Sequence, residues 1–127
     1  MRLVMVGTGY VGLVSGVCFS EFGFEVTCVD TDQAKIDRLR AGEIPIFEPG
    51  LQPLLQSNIK AGRIRFTPSL SEAMDGADIA FIAVGTPSRR GDGFADLSYV
   101  YQAAREIAEA AKGPLIVVTK STVPVGT

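Results

Sequence analysis

The segment Gly7-Thr-Gly-Tyr-Val-Gly12 constrains the fold of this chain more than any other feature. It joins an apolar run, residues 3–6, to a segment with helical periodicity. Glycines with this spacing also occur in ordinary turns, but between a strand and a helix there is a specific reason for each of the three glycines. Gly7 permits a tight turn, Gly9 lets a pyrophosphate approach the backbone, and Gly12 lets the helix lie close to the strand. The helix N-terminus would then direct unpaired N–H groups at the phosphates.

A second apolar strand, Glu25–Val29, ends at Asp30, 18 residues after Gly12. It completes a βαβ unit of about 30 residues, which is the size of a dinucleotide half-site. A carboxylate at that strand end can accept both ribose hydroxyls of an adenosine, although an Asp there could instead cap the next helix. We assign the cap to Thr31 or Asp32. Because carboxylates would repel the 2′-phosphate of NADP, the sequence favours NAD.

Helical and apolar segments alternate through the rest of the chain. Helices are predicted over about 31–41, 51–59, 69–75 and 96–111, and strands over 64–66, 78–84 and 115–119. This order predicts an α/β fold, a doubly wound (Rossmann) parallel sheet in three α/β/α layers that ends after about the fifth strand. For the last helix we predict Asp96 as the cap and a buried stripe of Leu97, Val100, Tyr101, Ala104, Ile107, Ala108 and Ala111.

The composition narrows the classes of function. The chain of 127 residues is 46% hydrophobic and 20% charged with a net charge of −2, which is typical of one globular domain and offers no basic surface for nucleic acid or anionic membrane. No apolar run reaches the roughly 20 residues of a membrane span, and no signal-peptide pattern is present, so we expect a cytoplasmic location.

The absence of histidine excludes Ser-His and Cys-His nucleophiles and His-ligated metals. Cys18 and Cys28 are expected to be buried reduced thiols.

Four further residues, Thr86, Lys35, Arg89 and Arg90, have both a functional and a structural interpretation. The turn Gly85-Thr-Pro87 follows a central strand, where ligands bind in open parallel sheets, so Thr86 could contact the cofactor or simply end the strand. Lys35 could reach the ribose or pyrophosphate, or lie on a solvated helix face. Arg89 and Arg90 could meet a phosphate, but we predict a solvated, mobile loop over residues 88–95.

Six motifs, in the same order along the whole chain, resemble the UDP-glucose/GDP-mannose dehydrogenase family: residues 7–13, Asp30 with Lys35, and residues 47–51, 84–87, 95–97 and 120–126. The resemblance implies a two-step oxidation of a sugar C6 alcohol to a carboxylate, with two NAD reduced. The ending Ser121–Thr127 resembles the branch of the family that acts on UDP-glucose.

The resemblance also implies roles for individual residues. Residues 7–12 would hold the pyrophosphate, Asp30 and Lys35 the adenosine ribose, and Thr122 would be a catalytic group that orders a water near the nicotinamide. The implied cofactor-binding set is Gly7, Gly9, Tyr10, Val11, Gly12, Asp30, Lys35, Val84, Gly85, Thr86, Pro87, Ser121 and Thr122. No metal is implied.

The family's catalytic cysteine and its Pro-Glu-Phe-Leu segment are not among these residues, and Cys18 and Cys28 match no catalytic position. We therefore expect residues 1–127 to be a dinucleotide-binding domain without the substrate and catalytic-cysteine domain, unable to turn over UDP-glucose alone. The full-length enzyme would be a homo-oligomer. Two alternatives stay open: a family member acting on GDP-mannose or UDP-N-acetylmannosamine, and a non-catalytic dinucleotide-binding module. A truncated domain would leave a sheet edge and a helix face uncovered, whereas a module would be a well-behaved monomer.

Overall fold

One parallel sheet of five strands forms the centre of the computed structural model, which describes residues 1–127. Its strands are β1 (Arg2–Val6), β2 (Glu25–Val29), β3 (Ile64–Thr67), β4 (Ile79–Ile82) and β5 (Ile116–Thr119). The helices are α1 (Tyr10–Glu21), α2 (Gln33–Arg40), α3 (Leu51–Lys60), α4 (Leu70–Ala73) and α5 (Ser98–Ala110). The strand order is β3-β2-β1-β4-β5, so the predicted doubly wound α/β fold is confirmed.

The direction in which strands are added reverses at β1. From β1 the chain builds outwards through β2 to β3, then returns to place β4 on the other side of β1. Val6 is in register with Val29 on one side and with Ile82 on the other, so three strands end level with one another. Such a reversal opens a crevice at the carboxyl ends of the strands, which is where ligands bind in these sheets.

Successive residues of β1 point to opposite faces of the sheet and fill two separate cores. Met5 lies in a core with residues of α1, α2 and α3, whereas Val4 lies in a core with residues of α4 and α5. Since both faces of β1 and β4 are covered, residues 3–6 of β1 and all of β4 are apolar, as strands of parallel sheets usually are. These two cores make the three predicted α/β/α layers.

Three of the predicted details are wrong. The last helix begins at Ser98 rather than directly after Asp96, because the Asp96 carboxylate accepts the N–H of Ser98, two residues on, and leaves Leu97 at the cap position. Its buried face is Val100, Ala103 and Ile107, whereas the predicted stripe members Tyr101, Ala104, Ala108 and Ala111 are exposed. Cys18 is only partly buried, while Cys28 is fully buried.

The strand β5 is the least covered element of the sheet. It pairs with β4 alone, and Ile116 and Val117 are exposed. None of the helices combines the length and the apolar character needed to cross a membrane.

Candidate functional site

A cavity of about 510 Å³ lies at the carboxyl ends of β1, β2 and β4. Most of the predicted site residues line it together: Gly7, Gly9, Tyr10, Val11, Asp30, Lys35, Val84, Gly85, Thr86, Ser121 and Thr122. Gly12 and Pro87 do not line it. Gly12 is buried beneath the turn, and Pro87 borders a shallow hollow beside Thr86.

The reason for a glycine differs among the three glycine positions of the turn. Gly7 has a φ of +109°, and a Cβ there would lie 2.5 Å from the carbonyl oxygen of Ala83. A Cβ on Gly12 would collide with the carbonyl oxygen of Gly7. At Gly9, by contrast, φ is −72° and a Cβ would meet no atom within 4 Å. The fold therefore requires glycine at Gly7 and Gly12 but not at Gly9, where the space opens into the cavity.

The N-terminus of α1 points unsatisfied donors at this space. Gly9 occupies the N-cap position, and no side chain caps the helix. The first helical hydrogen bond runs from the N–H of Leu13 to the carbonyl of Gly9, so the N–H groups of Tyr10, Val11 and Gly12 have no partner in the chain. Free N–H groups and the positive end of the helix dipole form a binding site for an anion such as a phosphate.

The carboxylate of Asp30 stands at the other side of the cavity, at the end of β2. Its Oδ2 accepts the hydroxyl of Thr8 at 2.6 Å and the N–H of Thr8 at 3.2 Å, and Oδ1 accepts the N–H of Asp32 at 3.0 Å. The Nζ of Lys35 lies 3.6 Å from Oδ2. Burial disfavours the charged form, but the hydrogen bonds from Thr8 and Asp32 and the charge of Lys35 outweigh it and lower the pKa of Asp30. Asp30 is thus an anionic acceptor.

Asp32 and not Thr31 caps α2. Its side chain accepts the N–H of Lys35 at 3.2 Å. This cap fixes the first turn of the helix, which brings the Lys35 ammonium next to Asp30. Lys35 therefore belongs to the cavity and not to a solvated helix face.

Three hydroxyl groups hold the loops after β4 and β5 against each other. The Oγ1 atoms of Thr86 and Thr122 lie 2.8 Å apart, and the hydroxyl of Ser121 donates to the carbonyl of Val84 at 2.7 Å. This arrangement places uncharged donors and acceptors at the end of the cavity far from Asp30. A hydroxyl both donates and accepts, so it can order a water or a carboxamide without adding charge.

The loop between α2 and α3 is tied to the cavity by one side-chain contact. The hydroxyl of Tyr10 donates to Oε2 of Glu48 at 2.6 Å, and this hydrogen bond together with the negative charge of Glu48 raises the pKa of Tyr10. The arginine loop, in contrast, stays away from the cavity. Arg89 pairs with Asp92 at 2.6 Å, and neither Arg89 nor Arg90 lines the site.

Several lining residues were not predicted from the sequence. Thr8 and Lys120 lie within the motifs but outside the predicted cofactor-binding set, and α5 contributes Tyr99, Gln102, Ala103 and Glu106. Pro68 and Leu70 line the cavity after β3. The rule that ligands lie beyond the carboxyl ends of parallel strands could have identified Pro68, because it directly follows β3. Nothing in the helical pattern marks which side of α5 faces the site.

The residues present fit NAD. Gly9 leaves room for a pyrophosphate beside free N–H groups, and Asp30 supplies an acceptor for ribose hydroxyls. The carboxylates of Asp30 and Asp32 disfavour the extra phosphate of NADP.

Comparison with known proteins gives consistent matches. The family described as "UDP-glucose/GDP-mannose dehydrogenase family, NAD binding domain" matches residues 1–127. The UDP-glucose 6-dehydrogenase of Rhizobium meliloti is 64% identical over 127 residues, which are 100% of this chain and 29% of that protein. A crystal structure of GDP-mannose dehydrogenase from Pseudomonas aeruginosa superposes with a TM-score of 0.95 at 42% identity, covering 100% of this chain and 30% of that one.

A structure of a UDP-glucose dehydrogenase from Pyrobaculum islandicum superposes with a TM-score of 0.93 at 46% identity, over 99% of this chain and 30% of that one. The chain therefore spans about three tenths of the length of the relatives that it matches.

Proposed function

The chain belongs to the UDP-glucose/GDP-mannose dehydrogenase family and corresponds to its NAD-binding domain, and we propose that it serves as the NAD-binding part of a UDP-glucose 6-dehydrogenase. Such an enzyme oxidises UDP-glucose to UDP-glucuronate, and NAD supplies the hydride acceptor when bound. The 64% identity to the Rhizobium meliloti UDP-glucose 6-dehydrogenase supports this choice of sugar. Other members of the family act on GDP-mannose, as one structural neighbour does by name.

The observation that carries the proposal is the open space at Gly9. No atom lies within 4 Å of a Cβ there, and the backbone needs no positive φ, so the fold does not explain the glycine. A pyrophosphate lying against the N-terminus of α1 does explain it, because a side chain would hold the phosphates away from the N–H groups of Tyr10 and Val11.

Each end of the cavity then has a role. Asp30 and Lys35 bind the adenosine ribose, the carboxylate as acceptor and the ammonium as donor. Thr86, Ser121 and Thr122 flank the nicotinamide end, and the hydroxyl of Thr122 orders a water there. In the proposed enzyme, the groups that bind the sugar and the thiol that reacts with it belong to residues outside these 127.

The test of the cofactor site is the substitution Gly9→Ala, with Gly113→Ala as the matched control. A Cβ at Gly113 also meets nothing within 4 Å and needs no positive φ, but Gly113 does not line the cavity. We expect Gly9→Ala to weaken NAD binding about tenfold or more, because its Cβ holds the phosphates away, while the protein stays folded with at most the small loss of melting temperature of a less favourable N-cap residue. An unchanged dissociation constant for NAD in calorimetry would contradict the proposal.

A chimera tests whether the chain works in the proposed enzyme. This chain would replace the aligned segment of the Rhizobium meliloti UDP-glucose 6-dehydrogenase, to which it is 64% identical. We expect the chimera to reduce NAD with UDP-glucose, and the same chimera with Gly9→Ala to need a higher NAD concentration. A folded chimera that binds UDP-glucose but forms no NADH would argue against this function.

The choice of sugar needs a separate assay. The product of the complete gene that contains this chain would be supplied with UDP-glucose, GDP-mannose or UDP-N-acetylmannosamine, and NADH formation followed by absorbance. We expect UDP-glucose to give the highest kcat/KM. A preference for either other nucleotide sugar would replace this part of the proposal with the corresponding family activity.

A further inference from the structure

We infer that Thr8, the residue between the first two glycines of the turn, is a positioning residue that orients the Asp30 carboxylate for the adenosine ribose. The inference rests on the proposed binding of NAD and concerns a side chain that lies in the glycine turn but is not in the implied cofactor-binding set. Thr8 is 1% exposed, the least accessible polar residue beside the cavity. Because it is covered, its hydroxyl has little access to the ligand and acts through Asp30.

Both hydrogen-bond donors of Thr8 go to a single oxygen of Asp30. The hydroxyl lies 2.6 Å and the backbone nitrogen 3.2 Å from Oδ2. Two donors fixed on one buried residue determine the plane of the carboxylate, since a rotation that turns both oxygens away would leave the hydroxyl of Thr8 without an acceptor. The side chain of a strand-end aspartate is thereby joined to the glycine turn itself.

The contacts with Thr8 and Asp32 leave few acceptor positions on the Asp30 carboxylate for a ligand. An ionised carboxylate has about four lone-pair positions, two on each oxygen. Oδ2 uses both of its positions for Thr8, and Oδ1 uses one for the N–H of Asp32. At least one position remains, on Oδ1, for a ribose hydroxyl, and the ammonium of Lys35, whose Nζ lies 3.6 Å from Oδ2, is a donor for the same ribose.

Removing the hydroxyl of Thr8 frees Oδ2 while leaving the turn intact. The Asp30 carboxylate can then rotate towards Lys35 and make a closer ion pair, which occupies both ribose-binding groups with each other. The effect is specific to one end of the ligand, because Thr8 makes no side-chain hydrogen bond other than the one to Asp30. Only ligands that carry the adenosine ribose will respond.

The experiment compares three ligands, NAD, AMP and nicotinamide mononucleotide, on the protein and its Thr8→Val, Thr8→Ala and Thr8→Ser variants. Valine keeps the shape of threonine and loses the hydroxyl, alanine loses it without a bulky replacement, and serine retains it. Ser20→Ala is the control for loss of a buried hydroxyl, since Ser20 is 0% exposed on α1 and does not line the cavity. Affinities for NAD and AMP are measured by calorimetry and for nicotinamide mononucleotide by NMR titration.

We expect Thr8→Val and Thr8→Ala to weaken NAD and AMP by about tenfold, the scale of one hydrogen bond involving a charged group, and to change nicotinamide mononucleotide by less than about twofold. Thr8→Ser and Ser20→Ala should stay within about twofold of the unsubstituted protein for all three ligands. In an Asp30→Ala background, Thr8→Val should add little further loss.

Equal weakening of all three ligands would overturn the inference, because it would show a general disturbance of the turn. Unchanged NAD affinity in Thr8→Val, while Asp30→Ala weakens NAD, would also overturn it and leave the proposed function standing. If Thr8→Val and Thr8→Ala do not fold, a loss in Thr8→Ser as large as that in Asp30→Ala would overturn it, since serine keeps the hydroxyl. Failure of the unsubstituted protein to bind NAD would instead refute the proposed function.

Discussion

Asp30 is the residue on which the fold and the cavity depend together, because its carboxylate accepts hydrogen bonds from the glycine turn and from the start of α2. We predict that Asp30→Ala weakens NAD binding by about 1–3 kcal/mol, since a charged acceptor of ribose hydroxyls is lost. Isothermal titration calorimetry measures this directly. Asp37→Ala is the control, because that carboxylate lies on α2, bonds to Gln33 and does not line the cavity. Equal NAD affinities for the two variants would refute the ribose assignment.

The charge of Asp30 also gives stability a dependence on pH. Its pKa is lowered in the folded protein, so the unfolded chain binds the proton first as pH falls. The stabilisation is therefore present above the ordinary aspartate pKa of about 4 and is lost as pH falls through the lower folded value. We expect urea unfolding between pH 6 and pH 3 to show a smaller decline in the free energy of unfolding for Asp30→Asn. Parallel declines in both proteins would contradict this.

The two cysteines should differ in reactivity. Burial raises the pKa of Cys28 to about 12 and leaves none of its side chain exposed, whereas Cys18 is partly exposed. Because the thiolate is the nucleophile, we predict that iodoacetamide at pH 8 modifies Cys18 in the native protein and modifies Cys28 only after unfolding in guanidinium. Mass spectrometry of proteolytic fragments identifies the sites. Labelling of Cys28 at the rate of Cys18 in the native state would show that β2 opens readily.

At the scale of elements, α1 packs on β2 through a contact that only glycine permits. A Cβ on Gly16 would lie 2.9 Å from the Sγ of Cys28. We predict that Gly16→Ala is destabilising, because overpacking costs about 1–3 kcal/mol and the better helix propensity of alanine returns only up to about 1 kcal/mol. Cys28→Ala removes the sulfur and should reduce that cost by at least half. Denaturant unfolding of the four proteins of this cycle measures the coupling, and additive effects would contradict the packing argument.

The elements that could be predicted from the sequence are those with strong local patterns. β1, α1 and β2 lie where the apolar runs, the glycines and Asp30 indicated, because each depends on neighbours within a few residues. The buried face of α5 was predicted wrongly, since alanine suits a core or a surface equally and the pattern could not distinguish Ala103 from Ala104. Contacts such as that between Thr86 and Thr122 could not be predicted from the sequence, because they join residues 36 positions apart and exist only once the sheet has formed.

At the scale of the whole molecule, the cavity that we propose to hold NAD is lined by neither of the chain's two thiols. The chain has no histidine, and neither cysteine lines the cavity; Cys28 is also fully buried. The hydroxyls of Thr86, Ser121 and Thr122 at the predicted nicotinamide end can order a water but are poor nucleophiles at their ordinary protonation. The ammonium of Lys120 lines the same cavity and is no nucleophile while it carries its proton.

We therefore predict that a purified chain of these 127 residues binds NAD but forms no NADH when UDP-glucose is added. Binding is measured by calorimetry and turnover by absorbance of NADH over several hours, with the Rhizobium meliloti relative as the positive control for the assay. The two measurements separate cofactor binding from oxidation, because we propose that NAD affinity depends on Gly9 and Asp30 within the chain, whereas the family resemblance implies a thiol for the oxidation that these residues do not bring to the site. NADH formation by the purified chain would show that the cavity itself oxidises the sugar alcohol, and Thr122→Ala would then be the first variant to examine.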